Sequence, residues 1–98
     1  MKTNEEIMAS YILSNTDVYQ RVMNILKPLL GEYGYVYEYT SEGVVKTCKT
    51  YEDKEIVMLY LIAELTDIKY RLNNRYDDDL AYDSSALQRH IKALQESM

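Results

Sequence analysis

The chain of 98 residues is long enough for one domain with one hydrophobic core, and its hydrophobic fraction of 47% indicates folding rather than disorder. Its formal net charge is −5, from 16 acidic and 11 basic residues, which disfavours direct binding of nucleic acid. The longest apolar run, residues 56–63, is far too short to cross a bilayer, so no membrane segment is expected. We therefore expect a single compact domain spanning residues 1–98.

Cysteine usage and the N-terminal residues bear on the cellular setting. Cys48 is the only cysteine, so no disulfide can form within the chain. Residues 1–11 lack a charged segment followed by an apolar leader. A reducing, cytoplasmic setting is the simplest interpretation of both features.

Two amphipathic helices are predicted at the N-terminal end. Thr3 is a candidate cap before two glutamates, and apolar residues at helical spacing continue to about Leu13. The second helix has apolar residues at i, i+4, i+7, i+8 and i+11, beginning at Val18. Gly31 is predicted to end it as a left-handed cap, after Pro28 bends or tightens the last turn.

Residues 33–49 are predicted to form a β-hairpin. Tyrosines occupy every second position of residues 33–39, which is the period of a strand, and Gly43 fits the turn. A two-stranded sheet must bury one side, so we expect the tyrosines to pack on helices and the face of Val36 and Cys48 to meet solvent. The alternative interpretation of these tyrosines is a stacking platform for bases or for a protein partner.

A long third helix and a last helix are predicted to follow. Thr50 and Asp53 form a capping box at the start of the third helix, which ends near Asn74. Residues 77–79 are predicted to be a charged connector, with a partly helical connector as the alternative, and residues 83–85 to cap the last helix. The predicted fold class is therefore α+β, mostly helical, in the order helix, helix, β-hairpin, long helix, helix.

No catalytic residue, metal site or cofactor is predicted. The acidic residues 77–83 fail as a calcium loop, because Tyr82 stands where glycine is needed and Gln88 where glutamate is needed. His90 is the only histidine, and we expect it at the surface or rim without a catalytic partner. The chain lacks a glycine-rich phosphate loop and metal-ligand spacing, so we expect a protein that is not an enzyme.

The function that the sequence favours is a small acidic protein-binding module. Ten of the acidic residues and six of the basic ones lie in residues 51–98, so negative charge is concentrated there. We expect an inhibitor or regulator, of the type that phages and mobile elements encode, that docks on a basic surface of a partner protein, including a nucleic-acid-binding one. The predicted partner-binding residues are Glu52, Asp53, Glu55, Tyr76, Asp77, Asp78, Asp79, Tyr82 and Asp83.

The alternative function is that of a self-associating structural or adaptor protein. The third helix carries apolar residues spaced 3, 4 and 3 apart, the pattern of a helix packed along its length. A homodimer is then expected to form through this helix, along a seam of Met58, Leu61, Leu65 and Ile68.

Overall fold

The computed structural model describes residues 2–98, which form five α-helices and a single 3-10 turn. The elements in chain order are α1 (Asn4–Ser14), α2 (Thr16–Leu30), the 3-10 turn η1 (Val36–Glu38), α3 (Ser41–Thr47), α4 (Tyr51–Asn74) and α5 (Asp78–Glu96). This part of the chain contains no strand. The predicted α+β class is therefore wrong, and the fold is all-α.

Both N-terminal helices are capped where the sequence predicts. The Thr3 hydroxyl accepts a hydrogen bond from the Glu6 N–H, and the Glu6 carboxylate accepts one from the Thr3 N–H, which completes a capping box. Gly31 ends α2 with φ 67° and ψ −153°, a backbone region that is essentially restricted to glycine. The predicted end of α2 at Gly31 is confirmed, although ψ lies outside the left-handed helical region expected of the cap, and α2 continues past Pro28 to Leu30.

The predicted turn and return strand of the β-hairpin form α3 instead. The Thr40 hydroxyl caps this helix by accepting a hydrogen bond of 3.1 Å from the Gly43 N–H. Glu42 and Lys46 form an ion pair of 2.9 Å across one helical turn. These local contacts stabilise a helix in the part of the chain for which the sequence predicts the second half of a hairpin. The predicted β-hairpin is therefore wrong.

The alternating tyrosines do not form the inner face of a sheet. Tyr33 and Tyr35 are 88% and 63% exposed, whereas Val36 and Cys48 are 6% and 2% exposed. The predicted inner and outer faces are therefore reversed at these positions. The chain turns through η1, where the Glu38 N–H donates to the Tyr35 carbonyl, and this turn directs Val36 into the core. Two further tyrosines of the stretch are partly buried against the core: Tyr37 and Tyr39.

The last helix begins earlier than predicted. The Asp77 carboxylate accepts hydrogen bonds from the Asp79 and Leu80 N–H groups and caps α5, so residues 78–82 are helical rather than a connector. Asp78 and Asp79 then lie in the first turn, where negative charge is favourable because it faces the positive end of the helix dipole.

Helices α4 and α5 form an antiparallel pair. Three residues connect them, and the Lys54 ammonium at the start of α4 donates a hydrogen bond of 3.1 Å to the Ser97 carbonyl beyond the end of α5. The predicted cap at Thr50 is confirmed, because its hydroxyl accepts from the Asp53 N–H.

Helix α4 lies at the centre of the packing. It contacts α1, α2 and α5, while α3 packs on α2 and α5 and η1 packs on α5. The buried residues of the core are Val22, Leu26, Leu30, Val36, Val44, Cys48, Val57, Tyr60, Leu61, Ile68, Leu87, Ile91 and Leu94. Across residues 2–98, none of the helices combines the length and the apolar character that crossing a membrane requires.

Candidate functional site

The predicted partner-binding residues do not form one surface. Glu52, Asp53 and Glu55 lie in the first turns of α4, whereas the acidic residues 77–83 surround the start of α5. Because the two helices are antiparallel, these groups lie at opposite ends of the pair. The 24 residues of α4 span about 36 Å, which separates the groups by about the length of the molecule.

The acidic residues at the start of α5 interact electrostatically with the Glu38 carboxylate of η1. Partial desolvation and then the charges of Asp79, Asp77 and Glu38 raise the pKa of the Asp83 carboxyl. The ion pairs found within residues 2–98 involve other carboxylates. We call Glu38, Asp77, Asp79 and Asp83 the acidic surface; Glu38 is the member that the sequence analysis missed.

Two exposed tyrosines flank the acidic surface. Tyr76 and Tyr82 are 71% and 61% exposed. The Asp78 carboxylate, two residues further along the chain, raises the pKa of the Tyr76 phenol. Tyr82 presents its ring to solvent in the first turns of α5.

The predicted dimer seam faces the core of its own chain. Leu61 and Ile68 are buried, and Met58 and Leu65 are partly buried against the same core. The exposed apolar side chains of α4, Leu59 and Ile62, lie beside a groove of about 520 Å³, and Met58 is the one seam residue that also lines this groove. The groove is lined by Arg21, Glu52, Glu55, Ile56, Met58, Leu59 and Ile62.

A second cleft, of about 620 Å³, lies between α2, residues 31–37 and α4. Its walls are rich in aromatic rings, and we call it the tyrosine cleft after Tyr19, Tyr33, Tyr35, Tyr37 and Tyr60. The rings of Tyr35 and Tyr37 stack with their centroids 6.4 Å apart and their planes 6° from parallel. Those of Tyr19 and Tyr60 meet edge to face at 6.2 Å. Three of the four tyrosines that were expected to form the inner face of a sheet, Tyr33, Tyr35 and Tyr37, thus line an open cavity instead.

Glycine shapes the wall that residues 31–37 form. The Gly34 N–H donates a hydrogen bond of 3.1 Å to the Leu30 carbonyl, which folds the chain back over the end of α2. A Cβ atom on Gly34 would run into that same carbonyl, so a side chain cannot be added without moving the backbone. The tight turn brings the tyrosines after it over the cleft.

A partly buried carboxylate, that of Glu64, lies in the tyrosine cleft. The Tyr37 hydroxyl donates a hydrogen bond of 3.1 Å to Oε2 of Glu64, and Tyr60 lies one helical turn before Glu64 on α4 in the lining of the same cleft. Burial raises the pKa of the Glu64 carboxyl, the two tyrosine hydroxyls oppose that shift, and the charges of Asp67 and Asp83 add to it. Burial and the Glu64 carboxylate also raise the pKa of Tyr37 and Tyr60, so both phenols remain hydrogen-bond donors.

The sequence analysis missed Glu64, although the sequence contains a signal for it. Glu64 is the only charged residue between Glu55 and Asp67, in the part of α4 that is otherwise apolar nearly all round. A lone acid in such a stretch is either buried with a partner or placed at a site, since acids are rarely buried alone.

His90 is buried, so its predicted surface position is wrong. Its Nε2–H donates a hydrogen bond of 2.9 Å to the Val36 carbonyl, which leaves Nδ1 to accept one of 2.7 Å from the Ser41 hydroxyl. Burial lowers the pKa of the imidazole and keeps it neutral. These contacts tie η1 and α3 to α5.

Cys48 is also buried, contrary to its predicted exposure. Burial raises the pKa of the thiol to about 11, so the nucleophilic thiolate is scarce at neutral pH. Within residues 2–98, no three His, Cys, Asp or Glu side chains are grouped so that they could hold a metal ion.

Comparisons of the chain with models of known protein families, with curated proteins and with solved structures gave no significant match. The charges and the cleft lining of this chain indicate two candidate sites for a charged ligand, the acidic surface and the tyrosine cleft. Asp83 links the two electrostatically, because its negative charge raises the pKa of Tyr37 and of Glu64 in the cleft and it belongs to the acidic surface.

Proposed function

We propose that this chain is a small protein-binding module that inhibits or regulates its partner by docking on a basic surface, such as one that binds nucleic acid. The observation that supports this proposal is the negative charge at the start of α5, where Asp79 and the Glu38 carboxylate of η1 act on Asp83 and none of the three has an ion-pair partner among residues 2–98. A cationic partner relieves the repulsion between these carboxylates. Complementary charge also speeds the association of such a partner and disfavours partners of the wrong charge.

Exposed aromatic rings beside the carboxylates support a protein as the partner. Tyr82 and Tyr76 offer large amphipathic contacts of the kind that contribute most to binding energy in protein interfaces. The proposal includes no catalytic activity and no cofactor. It also includes a cytoplasmic setting, which the unpaired and buried Cys48 supports, because a free thiol persists in a reducing compartment.

The test measures binding to a panel of purified nucleic-acid-processing proteins. We expect at least one member to bind, and Asp79→Asn combined with Asp83→Asn to weaken that binding about tenfold or more, because the paired charges are lost. Raising the salt concentration from about 50 to about 500 mM should weaken binding further, because salt screens exposed charges.

The matched control is Glu52→Gln combined with Glu55→Gln, at the other end of the α4–α5 pair. It changes the net charge by the same amount, and we expect it to leave binding nearly unchanged. Absence of binding to every panel member would contradict the proposal, as would equal weakening by the two double variants.

A second candidate function is self-association through the groove on α4. Leu59 and Ile62 are 46% and 40% exposed there, and opposite charges from Arg21 and from Glu52 and Glu55 flank them. Such a groove can be self-complementary in a symmetric dimer, with the arginine of each copy facing the glutamates of the other.

Self-association predicts a dimer in sedimentation equilibrium that Leu59→Asp converts to a monomer, because the charge is placed in the apolar groove. The helical circular dichroism should be unchanged, since this side chain is outside the core. Tyr82→Asp is the matched control on an exposed aromatic residue far from the groove. A monomeric wild-type protein at about 0.1 mM would contradict this second candidate.

A further inference from the structure

The carboxylate of Glu64 lacks a cationic partner inside the cleft. No ion pair among residues 2–98 includes it, and its hydrogen bond there comes from the Tyr37 hydroxyl. A carboxylate can accept about four hydrogen bonds, so most of its capacity is unused. Partial burial of a charge in this way is unfavourable unless an opposite charge joins it.

The cleft offers aromatic faces beside that carboxylate. Tyr33, Tyr35 and Tyr19 are 88%, 63% and 47% exposed, so their rings are accessible from solvent. Tyrosine faces attract guanidinium and ammonium groups that lie within about 6 Å of the ring centre. The volume of about 620 Å³ lies in the usual range for ligand pockets.

From this arrangement we propose that the tyrosine cleft binds an organic cation, a guanidinium or alkylammonium group, with its charge at Glu64 and its apolar surface on the tyrosine rings. The other charged residues that line the cleft are Lys27 and Glu32, which offset each other, and Asp83 adds negative charge nearby. The net field in the cleft therefore favours a cation over an anion.

This inference goes beyond the proposed function, because it assigns a ligand to a site that is separate from the acidic surface. The cation has two possible sources: an arginine or lysine side chain of a protein, or a free small molecule. Two probes distinguish these sources. One is a blocked tripeptide with arginine at its centre, and the other is methylguanidinium chloride.

The experiment records proton NMR spectra of each probe with the full chain. We expect upfield shifts of the guanidinium-linked CH₂ or CH₃ protons, because aromatic rings shield a group that lies on their faces. The expected dissociation constant is on the order of 1 mM for a single cation with one carboxylate and ring contacts. If only the peptide binds, the ligand is an arginine or lysine side chain of a protein. If both probes bind equally, the cationic group alone is sufficient and a free small molecule can be the ligand.

Glu64→Gln should weaken binding of the probe at least about tenfold, because the amide keeps the shape of the side chain and removes the charge. Asp67→Asn is the matched control: it lies one turn further along α4, outside the cleft lining, and removes the same charge. Tyr35→Leu should weaken binding and Tyr35→Phe should preserve it, since the ring face and not the hydroxyl is required.

A thermal melt separates this role from a structural one. Since burial raises the pKa of Glu64, the folded chain favours its neutral form, and that contribution to stability is lost as pH rises from the unfolded value through the folded value. At neutral pH, Glu64→Gln should therefore keep or raise the melting temperature while it abolishes binding. A structural carboxylate would instead show a lower melting temperature.

The proposal is overturned if neither probe binds at about 10 mM, or if Glu64→Gln and Asp67→Asn weaken binding equally. Its failure is distinguishable from failure of the proposed function. The double variant Asp79→Asn with Asp83→Asn should still bind the probes within about threefold, because Glu64 and the rings remain in place.

Discussion

Replacing Leu61 by alanine is expected to lower the free energy of unfolding by about 2–5 kcal/mol, because the side chain is fully buried and its removal leaves a cavity. Leu59→Ala, two residues earlier on α4, is the matched control. Leu59 is 46% exposed, so its truncation should cost less than about 1 kcal/mol. Urea unfolding followed by circular dichroism measures both values.

This pair also tests which face of α4 meets the core. If the core lies where the structure places it, only Leu61→Ala lowers the urea midpoint strongly. Equal losses for the two variants, or a greater loss for Leu59→Ala, would contradict the packing of α4. The result bears on self-association as well, because a buried Leu61 is not available to a dimer seam in the folded monomer.

Replacing His90 by leucine is expected to cost about 2–4 kcal/mol, because the substitution leaves the buried Val36 carbonyl without a donor and removes the acceptor of the Ser41 hydroxyl. Ser41→Ala is the milder control and should cost about 1 kcal/mol, since it removes one hydrogen bond and leaves the other. Urea unfolding at pH 7.5, where the imidazole is neutral, compares the three proteins. Equal stability of the wild type and His90→Leu would contradict the buried network.

The same histidine predicts how stability depends on pH. Its pKa is lowered in the folded chain from a usual value of 6.5, so below that pH the unfolded chain binds a proton that the folded chain does not. Its contribution to stability is therefore present above about pH 6.5 and is lost as pH falls towards the folded pKa. His90→Leu should show a smaller decrease in stability over that range.

Helix caps are the part of this fold that the sequence predicts well. Thr3 and Thr50 act on their own first turns, so their role depends on residues two or three positions away. The same rule applies to Thr40 and Asp77. The glycine near Thr40 predicts a hairpin, and the run of charges at Asp77 predicts a connector, so these two caps are hidden by the patterns around them. The local signal for α3 and for the early start of α5 was present.

The burial of residues 33–48 depended on distant contacts. Alternation over seven residues suits a strand as well as an irregular segment, and the tyrosine pattern does not show which side faces the core. The Val36 side chain is buried in the core, and His90 of α5 binds its carbonyl, a contact across 54 positions of the chain. Cys48 is buried in the same core.

The candidate sites differ in how far the sequence indicates them. Glu64 stands alone in an apolar stretch, so the sequence singles it out. The tyrosine cleft joins three segments of the chain, which only the fold brings together. The predicted acidic set divides because α4 and α5 are antiparallel, and that arrangement depends on a connection that ends earlier than the sequence predicts.

We propose that cations are recognised by the acidic surface and the tyrosine cleft, and not by the acidic chain as a whole. Amide NMR spectra recorded during a titration with a blocked peptide that carries two arginines test it most directly. We predict that the shifted signals belong to residues 31–38, to Glu64 and to residues 77–83. Shifts of equal size at residues 52–55, at the opposite end of α4, would contradict the claim.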